Sequence, residues 1–184
     1  MIAAALALAL TLADQLPPRT SATAIRETGS RLGSDAAFTQ SLEARLPTGS
    51  MLFQLPVVDF PEGRPVLGAG DYEHLRPYLH STRLRFSYGS DKGRPREAWQ
   101  RRVEALEPAA MADVLERLGF AGMVVNLKAY ADRGEELRTA LAGSGRVEAW
   151  ESPDHDFLFV RLHEAASPEP IDRLVLPDVG SSGS

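Results

Sequence analysis

The densest gathering of side chains able to do chemistry lies between Asp71 and Trp99. It holds Asp71, Tyr72, His74, Tyr78, His80, Ser81, Arg85, Tyr88, Lys92, Arg94 and Trp99. On a helix, Asp71, His74 and Tyr78 share one face through i, i+3 and i, i+4 spacings. A carboxylate beside an imidazole can do acid–base work; the plainer alternative is a capping aspartate and a half-exposed histidine. Residues 87–94 read Ser-Tyr-Gly-Ser-Asp-Lys-Gly-Arg, a glycine-punctuated loop with two cations. Its amides, with Lys92 and Arg94, can cradle a phosphate, although the residue order of a nucleotide P-loop is missing. A surface turn is the plainer alternative. Tyr72, Tyr88 and Trp99 supply rings for sugar stacking. The binding candidates for a phosphate or a glycan are therefore Asp71, Tyr72, His74, His80, Arg85, Tyr88, Lys92, Arg94 and Trp99. No catalytic residue is assigned.

Several chemistries fall away. The chain has no cysteine, so disulfides, thiolate metal sites and cysteine nucleophiles are excluded. His74 and His80 are six apart, not the i, i+4 spacing of a helical metal pair, and His155 and His163 have no acid cluster beside them. No metal site and no cofactor are expected. Ser81 has no Gly-x-Ser-x-Gly elbow around it. Asp59, Glu62 and Asp71 flank a proline-rich loop, but spacing through a loop sets no distance between carboxylates.

Charge narrows the partners. The net charge is −5, and 18 of the 20 basic residues are arginine. Seven cations and two acids fall between Arg83 and Arg102, a basic island on an acidic chain. Such an island suits a phosphate or an anionic headgroup, or forms a solvated face paired with the acidic remainder. No nucleic-acid partner is expected, because the overall negative charge would repel the polyanion.

These residues need elements to position them. Ile2–Ala13 is an uncharged apolar run of 12 ended by Asp14, too short to span a bilayer alone at about 20 residues. It reads as a signal-peptide core lacking its basic flank, as a buried helix, or, the favoured reading, as the end of a membrane helix that begins outside this chain. Residues 1–14 are thus a membrane-helix end or anchor, 15–34 a linker, 35–164 the folded domain and 165–184 a flexible tail. A helix is predicted over Asp35–Leu46, capped by Ser34 or Asp35 with Phe38, Leu42 and Leu46 on one face. Further helices are predicted over 71–81, kinked or restarted at Pro77, and over 96–106, 109–118 and 132–142. Strands are predicted over 51–55, 84–88 and 123–127, with a terminal hairpin of 146–150 and 157–162. The alternation argues for a small α/β layer fold: a mixed sheet of four or five strands with helices packed on it. The helix from Asp132 would link a parallel pair as a crossover. Strand 157–162 is apolar on both faces and would lie inside the sheet.

The order of several strings carries a resemblance. Asp14-Gln15 follows the apolar run. FQLP comes at Phe53–Pro56, FPE at Phe60–Glu62, DYEHLRPYLHSTRLRFSYGSDKGR at Asp71–Arg94 and LGFAGMVVNLKAYADRG at Leu118–Gly134. Over about Leu6–Leu162 the chain resembles the C-terminal extracytoplasmic domain of bacterial multi-spanning membrane proteins of the sugar translocase, or C-type glycosyltransferase, kind. The resemblance implies a periplasmic domain on the bacterial inner membrane, a polyprenyl-phosphate-linked sugar as donor, and a catalytic acid in a loop among transmembrane helices outside this chain. Pro77 departs from the pattern expected of the helix that carries it. On this reading the domain is non-catalytic and touches lipid phosphate or glycan. The alternatives are a secreted hydrolase of glycans or phosphate esters, using His74 with Asp71 or Asp59, and a structural interaction module.

Overall fold

The computed structural model describes residues 21–61, 63, 66–70, 72–89, 93–163 and 165–174, apart from the side chains of Arg96 and Glu97. The apolar run at Ile2–Ala13 lies outside them. Among the described residues no helix is long and apolar enough to cross a membrane.

The described elements are α1 (Ala22–Arg45), β1 (Met51–Leu55), α2 (Leu75–Leu79), β2 (Arg85–Phe86), α3 (Pro95–Glu104), α4 (Pro108–Arg117), β3 (Phe120–Asn126), α5 (Glu135–Gly143), β4 (Ala149–Glu151) and β5 (Phe157–Arg161). The strands form one five-stranded mixed sheet in the order β2-β1-β3-β5-β4. β1 is parallel to β2 and to β3, whereas β5 is antiparallel to β3 and β4. The chain is an α/β fold, as its pattern predicts. β3 and β4 run the same way and are joined through α5, but β5 is inserted between them, so they are not the adjacent pair expected of a simple crossover.

Side-chain alternation sorts the core into two layers. Phe53, Leu55, Met123, Val125, Leu158 and Val160 meet Trp99, Val103, Met111, Leu115 and Leu141 of α3, α4 and α5. On the other face Leu52, Val124, Phe157 and Phe159 meet Phe38 and Leu42 of α1. β5 is buried on both faces, as expected of an interior strand. Pro95 and Pro108 stand in the first turns of α3 and α4, where a missing amide costs nothing. Gly119 ends α4 at a positive φ of 82°.

Two predicted helices differ in extent. α1 starts at Ala22, not Asp35, because Ser21 Oγ accepts the Ala24 amide at 3.0 Å. Gly29 and Gly33 lie inside the helix and weaken its pattern, and the side chains of residues 21–32 are mostly exposed. Ser34 and Asp35 do not cap: Ser34 Oγ accepts the Asp154 amide at 3.0 Å, and Asp35 pairs with Arg76. α2 is only five residues long, and Pro77 is its third, inside the first turn where no amide donor is needed. The helix starts just ahead of the proline and no kink is required.

Arg76 ties these parts together. Its guanidinium reaches Asp35 of α1 at 2.7 Å, Asp156 at 2.7 Å and Asp154 at 2.8 Å in the β4–β5 turn, and Glu73 at 3.7 Å. Lys128 Nζ joins through Glu73 at 2.7 Å and Asp156 at 3.3 Å. The Arg76 guanidinium also lies 4.9 Å from the centre of the Phe157 ring.

Breaking a buried pair strands its partners' charges. Arg76→Ala is therefore expected to lower unfolding free energy by about 3–5 kcal/mol in urea titration. A loss below about 1 kcal/mol would assign the network the weight of surface pairs. Gly122 is a second sensitive point, since an added Cβ would meet Phe159 Cε2 at 2.3 Å and Val160 O at 2.9 Å. Gly122→Ala should cost about 1–3 kcal/mol through overpacking in the same titration; an unchanged midpoint would contradict that packing.

Candidate functional site

The site grows from Gln54, the single polar residue in the apolar run of β1. It is buried on the α1 face of the sheet. A buried amide must be paired, and Gln54 donates from Nε2 to the His74 carbonyl at 2.7 Å and accepts the Tyr88 amide at Oε1 at 3.2 Å. Its own amide donates to Ser87 Oγ at 2.8 Å. One side chain thus holds together the turn before α2 and the loop after β2.

Between those segments lies a cavity of about 310 Å³, walled by Gln54, Phe60, His74, Tyr78, Phe86 and Tyr88. Its rings meet mainly edge to face: Phe60 with Tyr88 at 5.7 Å, Phe60 with Tyr72 at 6.2 Å, and Tyr78 with Phe86 at 6.4 Å. The His74 and Tyr88 ring centres are 5.3 Å apart. Tyr78 is exposed, whereas His74 is only 4% exposed. Burial pushes the His74 pKa down to about 4 against backbone hydrogen bonds at Leu55 and Pro56 and the Glu73 charge, which favour the protonated ring. The imidazole is neutral at pH 7. Nε2 is buried without a hydrogen-bond partner. A neutral imidazole keeps one acceptor nitrogen.

The structure brings His74 and Tyr88 to this cavity and Tyr72 to its rim. Asp71 and Lys92 lie outside the described residues. His80 is half-buried just after α2, and Arg94 is exposed at the start of α3. Trp99 requires a correction: it is 5% exposed and packs against Phe53 and Phe120. α3 turns that ring into the core, so it cannot stack on an approaching sugar. Arg85 and Trp99 line a smaller cavity of about 110 Å³ at the other end of β1. The basic island is partly neutralised, because Arg83 pairs with Glu43, and Arg101 pairs with Asp59 and Glu104. Asp59 is thereby engaged away from His74. Among the described residues no group of three His, Asp or Glu is placed to hold a metal ion.

Sequence reasoning missed Gln54, whose signal is one amide inside an otherwise apolar strand. It also missed an acid-lined cleft of about 510 Å³ beyond the C-terminal end of β1, bordered by Glu104, Glu107, Tyr130, Asp132 and Glu136. Burial raises the Glu104 pKa, opposed by the Val57 amide and Arg101. Amides of Glu136 and Gly134 hold Asp132 low as it caps α5. Burial and the Glu104 charge push the Tyr130 hydroxyl up. Glu104 accepts the Val57 amide at 2.7 Å, so two of the acids hold the chain in place. Their common sign disfavours a phosphate there.

Comparison with known proteins finds no family model, no curated protein and no solved structure that matches the chain.

The buried neutral imidazole has a consequence for stability. Its folded pKa lies below the ordinary value of 6.5, so the unfolded chain binds the proton more readily. The stabilisation is complete above about pH 6.5 and is lost as pH falls toward 4, at up to about 1.4 kcal/mol per pH unit. Denaturant titrations between pH 7 and 4.5 should show this slope in the parent chain and a flatter one in His74→Phe. Identical slopes would mean that the imidazole is not held neutral.

Proposed function

We propose that this chain is a non-catalytic extracytoplasmic domain of a membrane glycosyltransferase-like protein of the sugar-translocase kind, and that it holds glycan in the aromatic cavity. On this reading it stands at the periplasmic face of the bacterial inner membrane, contacts the membrane through the apolar run at Ile2–Ala13, and meets the sugar of a polyprenyl-phosphate-linked donor or its acceptor.

The observation that carries the reading is the cavity itself: about 310 Å³, with a tyrosine, two phenylalanines, a second tyrosine and one buried ring nitrogen without a partner. Sugars offer apolar C–H faces to aromatic rings and hydroxyl donors to acceptors. Aromatic walls with few fixed polar groups are what a small-ligand site needs. Every residue lining the cavity lies in the strings Phe53–Pro56, Phe60–Glu62 and Asp71–Arg94, which carry the family resemblance. His74 is better suited to accept a hydroxyl hydrogen than to shuttle protons, since burial opposes its charged form.

The test is a glycan array followed by saturation-transfer NMR on the binders, using the full chain. Binding without turnover is expected. Tyr78→Ala, which removes an exposed ring and leaves the fold intact, should weaken binding about tenfold, the worth of one good aromatic contact. Hydrolysis of a glycan or phosphate ester, abolished in His74→Ala, would replace the reading with a hydrolase. Absence of all glycan binding would leave a structural interaction module.

A further inference from the structure

A second group of polar atoms lies at the N-terminal end of β1. The turn before this strand, Pro47-Thr-Gly-Ser, together with Met51, Arg85 and Gly119, encloses a cavity of about 260 Å³. Met51 and Arg85 also line the neighbouring cavity of about 110 Å³, whose walls include Trp99, Phe120 and Leu118. The two spaces therefore adjoin. Ser50 is 7% exposed and its Oγ is buried without a hydrogen-bond partner; Trp99 is 5% exposed and its Nε1 is likewise unpartnered. Buried polar atoms without partners are rare in folded proteins, and here two belong to residues that line adjoining cavities, both of which Arg85 also lines.

The chemistry of the group is one-sided. The Trp99 indole can only donate, a guanidinium only donates, and the Ser50 and Thr48 hydroxyls can both donate. No carboxylate lines either cavity. The Arg85 guanidinium makes no ion pair and no side-chain hydrogen bond among the described residues, in contrast to Arg83 and Arg101 of the same basic island. The donors come from three elements: the turn before β1, β2 and α3. Donors on several sides suit a tetrahedral oxyanion better than a planar carboxylate. The Trp99 side adds an apolar wall for whatever the oxyanion is attached to.

We propose that Thr48, Ser50, Arg85 and Trp99 form a binding site for a phosphoryl group. The site stands independently of the glycan reading, since it shares only Phe86 with the aromatic cavity. Its ligand is either free phosphate or a phosphate headgroup at a membrane surface.

The test is titration of the ¹⁵N-labelled full chain, followed by NMR, first with inorganic phosphate and then with phosphatidylcholine vesicles carrying phosphatidic acid. The Trp99 indole and the Ser50 and Gly119 amides should shift saturably. The Trp150 indole, which donates to Ser41 Oγ at 3.0 Å, is the internal control. Arg85→Ala should weaken binding about tenfold or more, whereas Arg102→Ala, exposed on the same basic island, should leave it unchanged. Ser50→Ala, which removes a hydroxyl with no partner, should keep the fold and weaken binding. A response to inorganic phosphate supports a free-phosphate site, and a response confined to the vesicles supports a headgroup site. No saturable shift in either titration, or shifts that Arg85→Ala leaves in place, would overturn the proposal.

Discussion

The arrangement depends first on the Arg76 guanidinium. It is 11% exposed and faces carboxylates from α1, from the β4–β5 turn and from its own turn. Burial alone would lower its pKa, but hydrogen bonds to Asp35 and Asp156 more than offset this and raise it, so the charge is permanent. Desolvating an arginine is tolerable only when its donors are filled, and here four of the five N–H groups are paired with carboxylates. Asp154 shows the same balance: burial raises it, while Ser152, the Asp156 amide, Ser34 and the Arg76 charge hold it below the ordinary range. A five-residue helix has almost no stability of its own. α2 persists because one of its side chains is tied to two distant segments of the chain, α1 and the β4–β5 turn.

That tie decides where the aromatic cavity can form. With Arg76 fixed, Tyr78 of the same helix and His74 just before it are set over the edge of the sheet, and Thr39 Oγ1 donates to the Pro77 carbonyl at 3.2 Å from α1. Gln54 then closes the other side by bonding both His74 and Tyr88. The ion network and the amide clamp act on opposite ends of one short segment. Losing either would free the rings before it unfolded the sheet, because the main hydrophobic layers lie elsewhere.

What was legible in the sequence follows from how local each cause is. β3 and β5 announced themselves through apolar, β-branched runs, and α4 through its period and Gly119, because these signals lie within a few residues. The start of α1 was hidden by Gly29, Gly33 and the absence of an apolar stripe before Phe38; only Ser21 marks it. Ser34 and Asp35 read as a cap because capping is the nearest use for such residues, yet their partners, Asp154 and Arg76, are far away in sequence. His74 and Tyr88 were picked out by type and do share a cavity. Trp99 was picked out by the same reasoning and is buried, since three spaced aromatics say nothing about which one a helix turns inward. Gln54 and Arg76 carry most of the site's geometry; both lie in strings that carry the resemblance, yet their residue types alone point to no chemistry.

Strand β1 explains how one small sheet keeps chemically different spaces apart. Met51 opens on the donor-lined cavity beside Arg85, Gln54 points to the aromatic cavity, and Leu55 borders the acid-lined cleft. Alternation sends Gln54 to the face opposite Met51 and Leu55, and the length of the strand separates the other two by four residues, about 13 Å at ~3.3 Å per residue. That distance exceeds a Debye length of about 8 Å at physiological salt. The acids near Leu55 therefore do little to weaken an anion held near Arg85. Arg83 and Arg101, which lack such distance from acids, are paired and neutralised. Net charge alone would assign this chain no anionic ligand. The spacing along one strand gives Arg85 a local environment of the opposite sign.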